Sequence, residues 1–150
     1  MIAWKYLDKH SATVCALKDF ENMTCIINIT PDEIKNANDD MTSLGSIVIS
    51  DMPKVRNLHS QENKILNGIS KIEVLKERYN QAVEFMDWFK PAWDSLCEEE
   101  QIILSEFYLF AGSKTDALQN VCQKLYIEKT CAYTRRDKSL NHLTAILYGI

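Results

Sequence analysis

The sequence predicts an all-α fold on three observations. Glycine and proline are scarce, 4 and 3 among 150 residues. Apolar residues recur at three- and four-residue spacing along much of the chain. The stretch Asn120 to Leu143 reads as a helix, a three-residue break and a second helix. So few glycines and prolines leave too little turn chemistry for a fold of many short strands. An apolar content of 46% and a charged content of 25% are those of an ordinary globular protein. At this length the chain can bury one core or divide into two small helical units joined by a long helix, and the second arrangement is expected.

In segment 1–50, Trp4, Leu7, Val14, Leu17, Phe20, Met23 and Ile26 predict one or two amphipathic N-terminal helices. Cys25 to Ile29 is β-branched enough for a short strand. Thr30-Pro31-Asp32-Glu33 then offers an N-cap, a proline at the first helical position and a capping acid, so a short helix is expected after Thr30. From Asn38 to Ser60, turn-forming residues surround one apolar island, Ile47-Val48-Ile49, followed by Asp51-Met52-Pro53. This reads as a linker, and it contains the boundary between 1–50 and 51–93.

Segment 51–93 is expected to be a long central helix capped by Ser60. Ile65, Ile69, Ile72, Leu75, Tyr79, Ala82, Met86 and Phe89 form its apolar seam. Such a seam packs within its own domain or pairs two copies, so a homodimer through Ile65–Phe89 is among the expected partners. Pro91 disfavours helical geometry in the residue before it and is expected to end the helix near Lys90. Trp88, Phe89 and Trp93 gather around that proline as a structural aromatic cluster.

Segment 94–150 opens with a helix from Glu98 to Phe110 that buries Ile102, Ile103 or Leu104, Phe107 and Tyr108, with Glu98 to Glu100 at the positive end of its dipole. Ala111-Gly112 ends it. Ser113 and Asp116 then form a capping box for a helix from Lys114 to Leu125. After the turn Tyr126-Ile127-Glu128, Ala132, Leu140 and Leu143 continue the inward stripe begun by Val121, Cys122 and Leu125. Ile127 plugs the turn, while Lys129, Thr130, Tyr133 and Arg135 face away.

Charge distribution sharpens this picture. The net charge of −4 argues against a protein that coats nucleic acid by bulk attraction. The last segment nevertheless carries Lys114, Lys124, Lys129, Arg135, Arg136 and Lys138 against only Asp116, Glu128 and Asp137 from Gly112 onward. The helix before it carries Asp94, Glu98, Glu99, Glu100 and Glu106 and no cation. A basic end therefore follows an acidic helix.

No catalytic constellation is present. His10, His59 and His142 lie far apart without metal-ligand spacing, the acids cluster only at ordinary solvated positions, and no phosphate-cradling glycine motif occurs. The chain is expected to be no enzyme, with neither cofactor nor metal. Five cysteines at positions 15, 25, 97, 122 and 131 show no CxxC, so a reducing interior is expected, with Cys122 and Cys131 as buried free thiols. With no apolar run of transmembrane length and no signal-peptide pattern at the start, a cytoplasmic location without membrane association is expected.

The pattern Leu96, Glu100, Ile103-Leu104, Phe107-Tyr108, then Val121-Cys122-x-x-Leu125-x-Ile127, then Ala132, Ser139-Leu140 and Leu143 resembles region 4 of bacterial sigma factors. Adding RYNQAVEFMDWFKPAWDSL and the ending LTAILYGI, the chain is similar to phage and prophage late-gene transcription regulators of the ArpU and RinA type. The resemblance covers the last third and, less closely, the long helix. It departs at Tyr126, where the family has glycine, at Glu128, where it has a capping serine or threonine, and at Arg136, where it has an apolar residue. It implies a sequence-specific regulator of late phage genes acting on double-stranded DNA beside RNA polymerase in the bacterial cytoplasm.

In a helix-turn-helix the second helix enters the major groove by its N-terminal half. That places Lys129, Thr130, Tyr133 and Thr134 near base edges with Arg135 beside them. Ser113, Lys114, Arg136 and Lys138 are then suited to backbone phosphates. The alternative is a small phage-encoded interaction protein whose acidic surfaces inhibit a host nucleic-acid-binding enzyme, such as an anti-defence protein.

Overall fold

The computed structural model describes residues 7–45 and 58–149. Among them every element is helical: α1 (Lys9–Gly45), α2 (Leu58–Asp94), α3 (Glu98–Leu104) continued by a π-helical turn (Ser105–Leu109), α4 (Lys114–Leu125) and α5 (Lys129–Tyr148). The protein is all-α. Trp4, the island Ile47-Val48-Ile49, Asp51-Met52-Pro53 and the boundary at residue 50 lie outside the described residues.

Both long helices exceed their expected limits. α1 passes through Thr30-Pro31, so Thr30 is a buried residue inside a helix and no N-cap, and Cys25 to Ile29 is helical, not a strand. Pro31 removes one backbone donor, yet packing outweighs the local signal, for Thr30 Oγ1 accepts from Arg78 Nη2 at 3.3 Å. The expected linker from Asn38 is helical as far as Gly45. Its polar side chains bond back onto the helix, Thr42 Oγ1 to the Asn38 carbonyl at 2.9 Å and Ser43 Oγ to the Asp40 carbonyl at 2.8 Å. α2 begins at Leu58, before Ser60, and runs past Pro91 to Asp94. The Ser95 N–H bonds to the Pro91 carbonyl at 3.2 Å, and burial of Phe89, Ala92, Trp93 and Leu96 holds the turn that contains the proline.

The chain forms two compact units. One, Thr24–Glu84, is an antiparallel helical hairpin made of the later part of α1 and the earlier part of α2. Glu33 pairs with Arg78, and Met41 sits where a side chain at Gly68 would begin, 2.7 Å from the ideal Cβ position. Gly68, which interrupts the helical pattern, thus makes room for the facing helix. Ala37, Ile72, Leu75 and Ala82 are buried here, while Ile65, Leu66, Ile69 and Val74 stay exposed. The expected seam is therefore divided, its middle covered by the chain's own α1 and its first turns left open.

The other unit comprises Met1–Met23 and Phe85–Ile150. Its larger core gathers Ala16 and Leu17 of α1, Phe89, Ala92 and Trp93 of α2, Leu96, Leu104 of α3, and Leu140, Leu143 and Leu147 of α5. A second core joins Ile103 of α3, Leu118 and Val121 of α4 and Ala132 of α5, with Phe107, Cys122, Leu125 and Ile127 packed on it. Phe89 is the hub of the aromatic cluster, with ring centroids of Phe20, Phe85 and Trp93 at 5.0, 5.4 and 6.1 Å. Truncating a fully buried aromatic loses its transfer energy and leaves a cavity. Phe89→Ala is expected to lower the unfolding free energy by about 3–5 kcal/mol, measured by urea denaturation; a loss under about 1 kcal/mol would place the hub elsewhere.

Candidate nucleic-acid interface

Ser113 caps α4 as its capping box requires. Its Oγ accepts from the Asp116 N–H at 3.2 Å, and its own N–H and hydroxyl donate to Asp116 Oδ2 at 3.3 and 2.7 Å. Both donors of Ser113 thereby serve the helix, and the carboxylate at this helix start is held in place. Lys114, in the first turn of α4, is exposed.

The turn to α5 is tight. Tyr126 adopts φ 54°, ψ 44°, the left-handed region, and is the sole non-glycine residue with positive φ among the described residues. Its N–H bonds to the Cys122 carbonyl, as does the Ile127 N–H at 3.3 Å. Left-handed geometry costs a side-chain-bearing residue about 1–2 kcal/mol, and the Tyr126 side chain, 94% exposed, gains no packing in return. Glu128 then stands at the N-cap of α5 with extended backbone and makes no side-chain capping bond.

α5 buries Ala132, Ser139, Leu140, Leu143 and Leu147 along one face. Lys129, Thr130, Tyr133 and Thr134 are exposed on its N-terminal half, and Lys138 is exposed further along. Thr134 Oγ1 donates back to the Thr130 carbonyl at 3.0 Å, so its methyl and its acceptor lone pairs are what it offers outward. Arg135 is less free than the sequence implies. It is half-buried and paired with Glu99 of α3, a bond that pushes its pKa up, with a further contribution from Cys131. Arg136 is paired with Asp137 and lies over two rings, 5.4 Å from the Phe107 centroid and 5.2 Å from that of Tyr133. The guanidinium is thus accommodated by two aromatic faces. Lys124 pairs with Glu106 of the π-helical turn. Lys114, Lys129 and Lys138 make no ion pair among the described residues.

The acids of α3 divide their work. Glu100 Oε2 accepts from the Cys97 N–H at 3.0 Å, closing the start of α3, and Glu100 Oε1 meets His142 Nδ1 of α5 at 2.8 Å. Asn120 of α4 donates to Glu106 at 3.3 Å. Sequence reasoning finds the charges but not the pairings between helices, which join residues 14 to 42 positions apart. It also misses His10, Phe107 and Tyr108 as neighbours of Lys114, Tyr133 and Arg136. Among the described residues no group of three histidine, cysteine or acidic side chains is placed to hold a metal, and no helix is long and apolar enough to cross a membrane. All five cysteines are free, with Cys122 and Cys131 half-buried and not fully enclosed.

The fold defines an all-α protein in which a short helix and a longer one, joined by three residues, share a core with a third. Compared with protein-family models, curated proteins and solved structures, the chain matches none.

Two expectations follow. Tyr126→Gly removes the left-handed penalty without sacrificing a contact and should raise stability by about 1 kcal/mol, read as a higher urea midpoint; a lower midpoint would mean that the tyrosine ring is bound to something. At Glu100, burial raises the pKa, but the His142 contact and the Cys97 bonds lower it more, and the net shift is downward. The unfolded chain therefore takes up this proton first. The stabilisation is complete above the ordinary carboxylate range and drains away as pH falls through that range towards the folded-state value. Glu100→Gln should flatten this acid limb of stability against pH; an unchanged limb would show that Glu100 contributes nothing to it.

Proposed function

We propose that the protein is a sequence-specific DNA-binding regulator that lays the N-terminal half of α5 in the major groove. The observation that carries this reading is the division of α5. Ala132, Leu140 and Leu143 lock one face into the cores, which leaves Lys129, Thr130, Tyr133 and Thr134 exposed together on the turn-proximal half. Lys129 is suited to a guanine edge and the Thr130 methyl to thymine, a good base contact being worth about 1–3 kcal/mol of discrimination. Lys114, Arg136 and Lys138 would hold phosphates, while Arg135, clamped by Glu99, would act chiefly by positioning α5 against α3. The resemblance to late phage regulators makes the product an activator or repressor of late genes beside RNA polymerase. A homodimer on DNA would use Ile65 and Ile69, the exposed end of the long helix seam, with exposed Leu66 beside them.

A specific observation favours the second reading, an acidic interaction protein that blocks a host nucleic-acid-binding enzyme. Lys124, Arg135 and Arg136 each spend charge on an acid of the same unit, which leaves the basic end weaker than its composition suggests. Gel-shift titration against a random-sequence duplex pool at two salt concentrations separates the readings. The DNA reading expects retardation whose log affinity falls with log salt at a slope of about −3 to −4, as three or four phosphate-contacting cations give. Lys129→Ala should lose about 5- to 10-fold in affinity and relax one position of the selected sequence. No retardation at low salt would sink the DNA reading and leave the interaction protein.

A further inference from the structure

Four segments of one unit enclose a pocket of about 230 Å³: His10 of α1, Phe107 and Tyr108 of the π-helical turn, Lys114 of α4, and Tyr133, Arg136 and Asp137 of α5. The wider turn that brings the two aromatics here is closed by the Phe110 N–H on the Ser105 carbonyl at 3.0 Å, five residues back. Inside, the Arg136 guanidinium is preset. Two rings flank it, and its Nε and Nη2 donate to Asp137 Oδ1 at 2.9 and 2.8 Å. Its remaining N–H groups keep a fixed planar fork with little rotamer freedom left to lose. Lys114 and His10 add donors and form no ion pair among the described residues, and Asp137 is the one carboxylate in the lining.

Three basic side chains against one acid select an anion, and aromatic walls beside a planar fork suit a phosphoryl group. Size narrows the choice further. Sites that enclose whole small ligands run from about 300 to 1,000 Å³, so this pocket takes a group and not a molecule. Tyr133 lines the pocket and also belongs to the exposed half of α5 with Lys129 and Thr130, so a group seated here is continuous with a ligand lying along that helix.

We infer that the pocket seats one phosphodiester of a nucleic-acid backbone, gripped by Arg136, Lys114 and His10. The inference rests on the DNA-binding reading and gives the N-terminal helix a part in it through His10. Tyr108 also lines the pocket wall, and burial pushes the pKa of its hydroxyl up.

The test is neutral-backbone interference. A duplex selected by the wild-type protein is remade as a series with one phosphate at a time replaced by methylphosphonate, and binding is measured for wild type, His10→Ala and Arg136→Lys. One position in the series should weaken wild-type binding about 10-fold, the scale of a charge-assisted contact. His10→Ala and Arg136→Lys should each bind the native duplex about 3- to 10-fold more weakly and lose little more at that same position. His10 is exposed, so its variant should keep the wild-type melting temperature. If duplex is bound but the variants show the wild-type interference profile, the pocket inference fails and the DNA reading stands. If no duplex is bound, the DNA reading fails and takes the inference with it. Micromolar binding of a 5′-mononucleotide or of inorganic phosphate without DNA would overturn the backbone assignment.

Discussion

The burial of Leu140, Leu143 and Leu147 of α5 against Phe89, Trp93 and Leu104 is the constraint on which the rest of this unit depends. A helix has one rotational freedom about its axis, and three leucines at spacings of three and four remove it. Each fully buried leucine is worth about 1.5–3 kcal/mol, so a rotation that exposed this stripe would cost most of a small domain's stability. Ala132 belongs to the second core, about two turns earlier along the same face. With both ends of the inner face committed, exposure of Lys129, Thr130, Tyr133 and Thr134 follows from geometry and needs no further interaction.

Electrostatics then refine what packing has fixed. Glu99, Glu100 and Glu106 lie along α3 and its π-helical extension, and each meets a partner on α4 or α5: Arg135, His142 and Lys124. In these pairs the acids are half-buried and their partners reach solvent, where water screens the attraction and keeps the contribution to stability modest. Their consequence is directional. They draw positive charge towards α3, whereas Lys114, Lys129 and Lys138 make no ion pair among the described residues, which leaves unneutralised cations at the starts of α4 and α5 and at one site further along α5. A net charge of −4 is compatible with such a local field because screening confines each charge to about 10 Å at ordinary ionic strength.

The sequence announces α4 and α5 clearly because their signals are local. The Ser113–Asp116 box, the break at Tyr126 to Glu128 and the stripe through Val121, Ala132, Leu140 and Leu143 all lie within a few turns of one another. The long helices are less legible for the same reason. Thr30-Pro31 is a good helix start judged alone, and only Arg78, 48 residues away, makes Thr30 an interior residue. Pro91 is a good stop judged alone, and only the core around Phe89 and Trp93 carries α2 beyond it. At the candidate site, exposure of the α5 residues can be read from periodicity. The pairing of Arg135 with Glu99, the stacking of Arg136 and the approach of His10 arise from contacts between distant segments, which no local pattern encodes.

The turn between α4 and α5 shows how such contacts sustain local strain. Tyr126 closes the last ordinary helical bond to the Cys122 carbonyl, and its left-handed conformation then lets the Ile127 N–H reach back to the same carbonyl at 3.3 Å. The tyrosine side chain cannot offset the cost, being almost wholly in solvent. Ile127 offsets part of it, because it is half-buried against the second core of Ile103, Leu118, Val121 and Ala132. The angle between the two helices is therefore held by Ile127 through the core and tolerated by Tyr126. The residue at the apex is left free of any packing duty, at the edge of the surface that α5 presents.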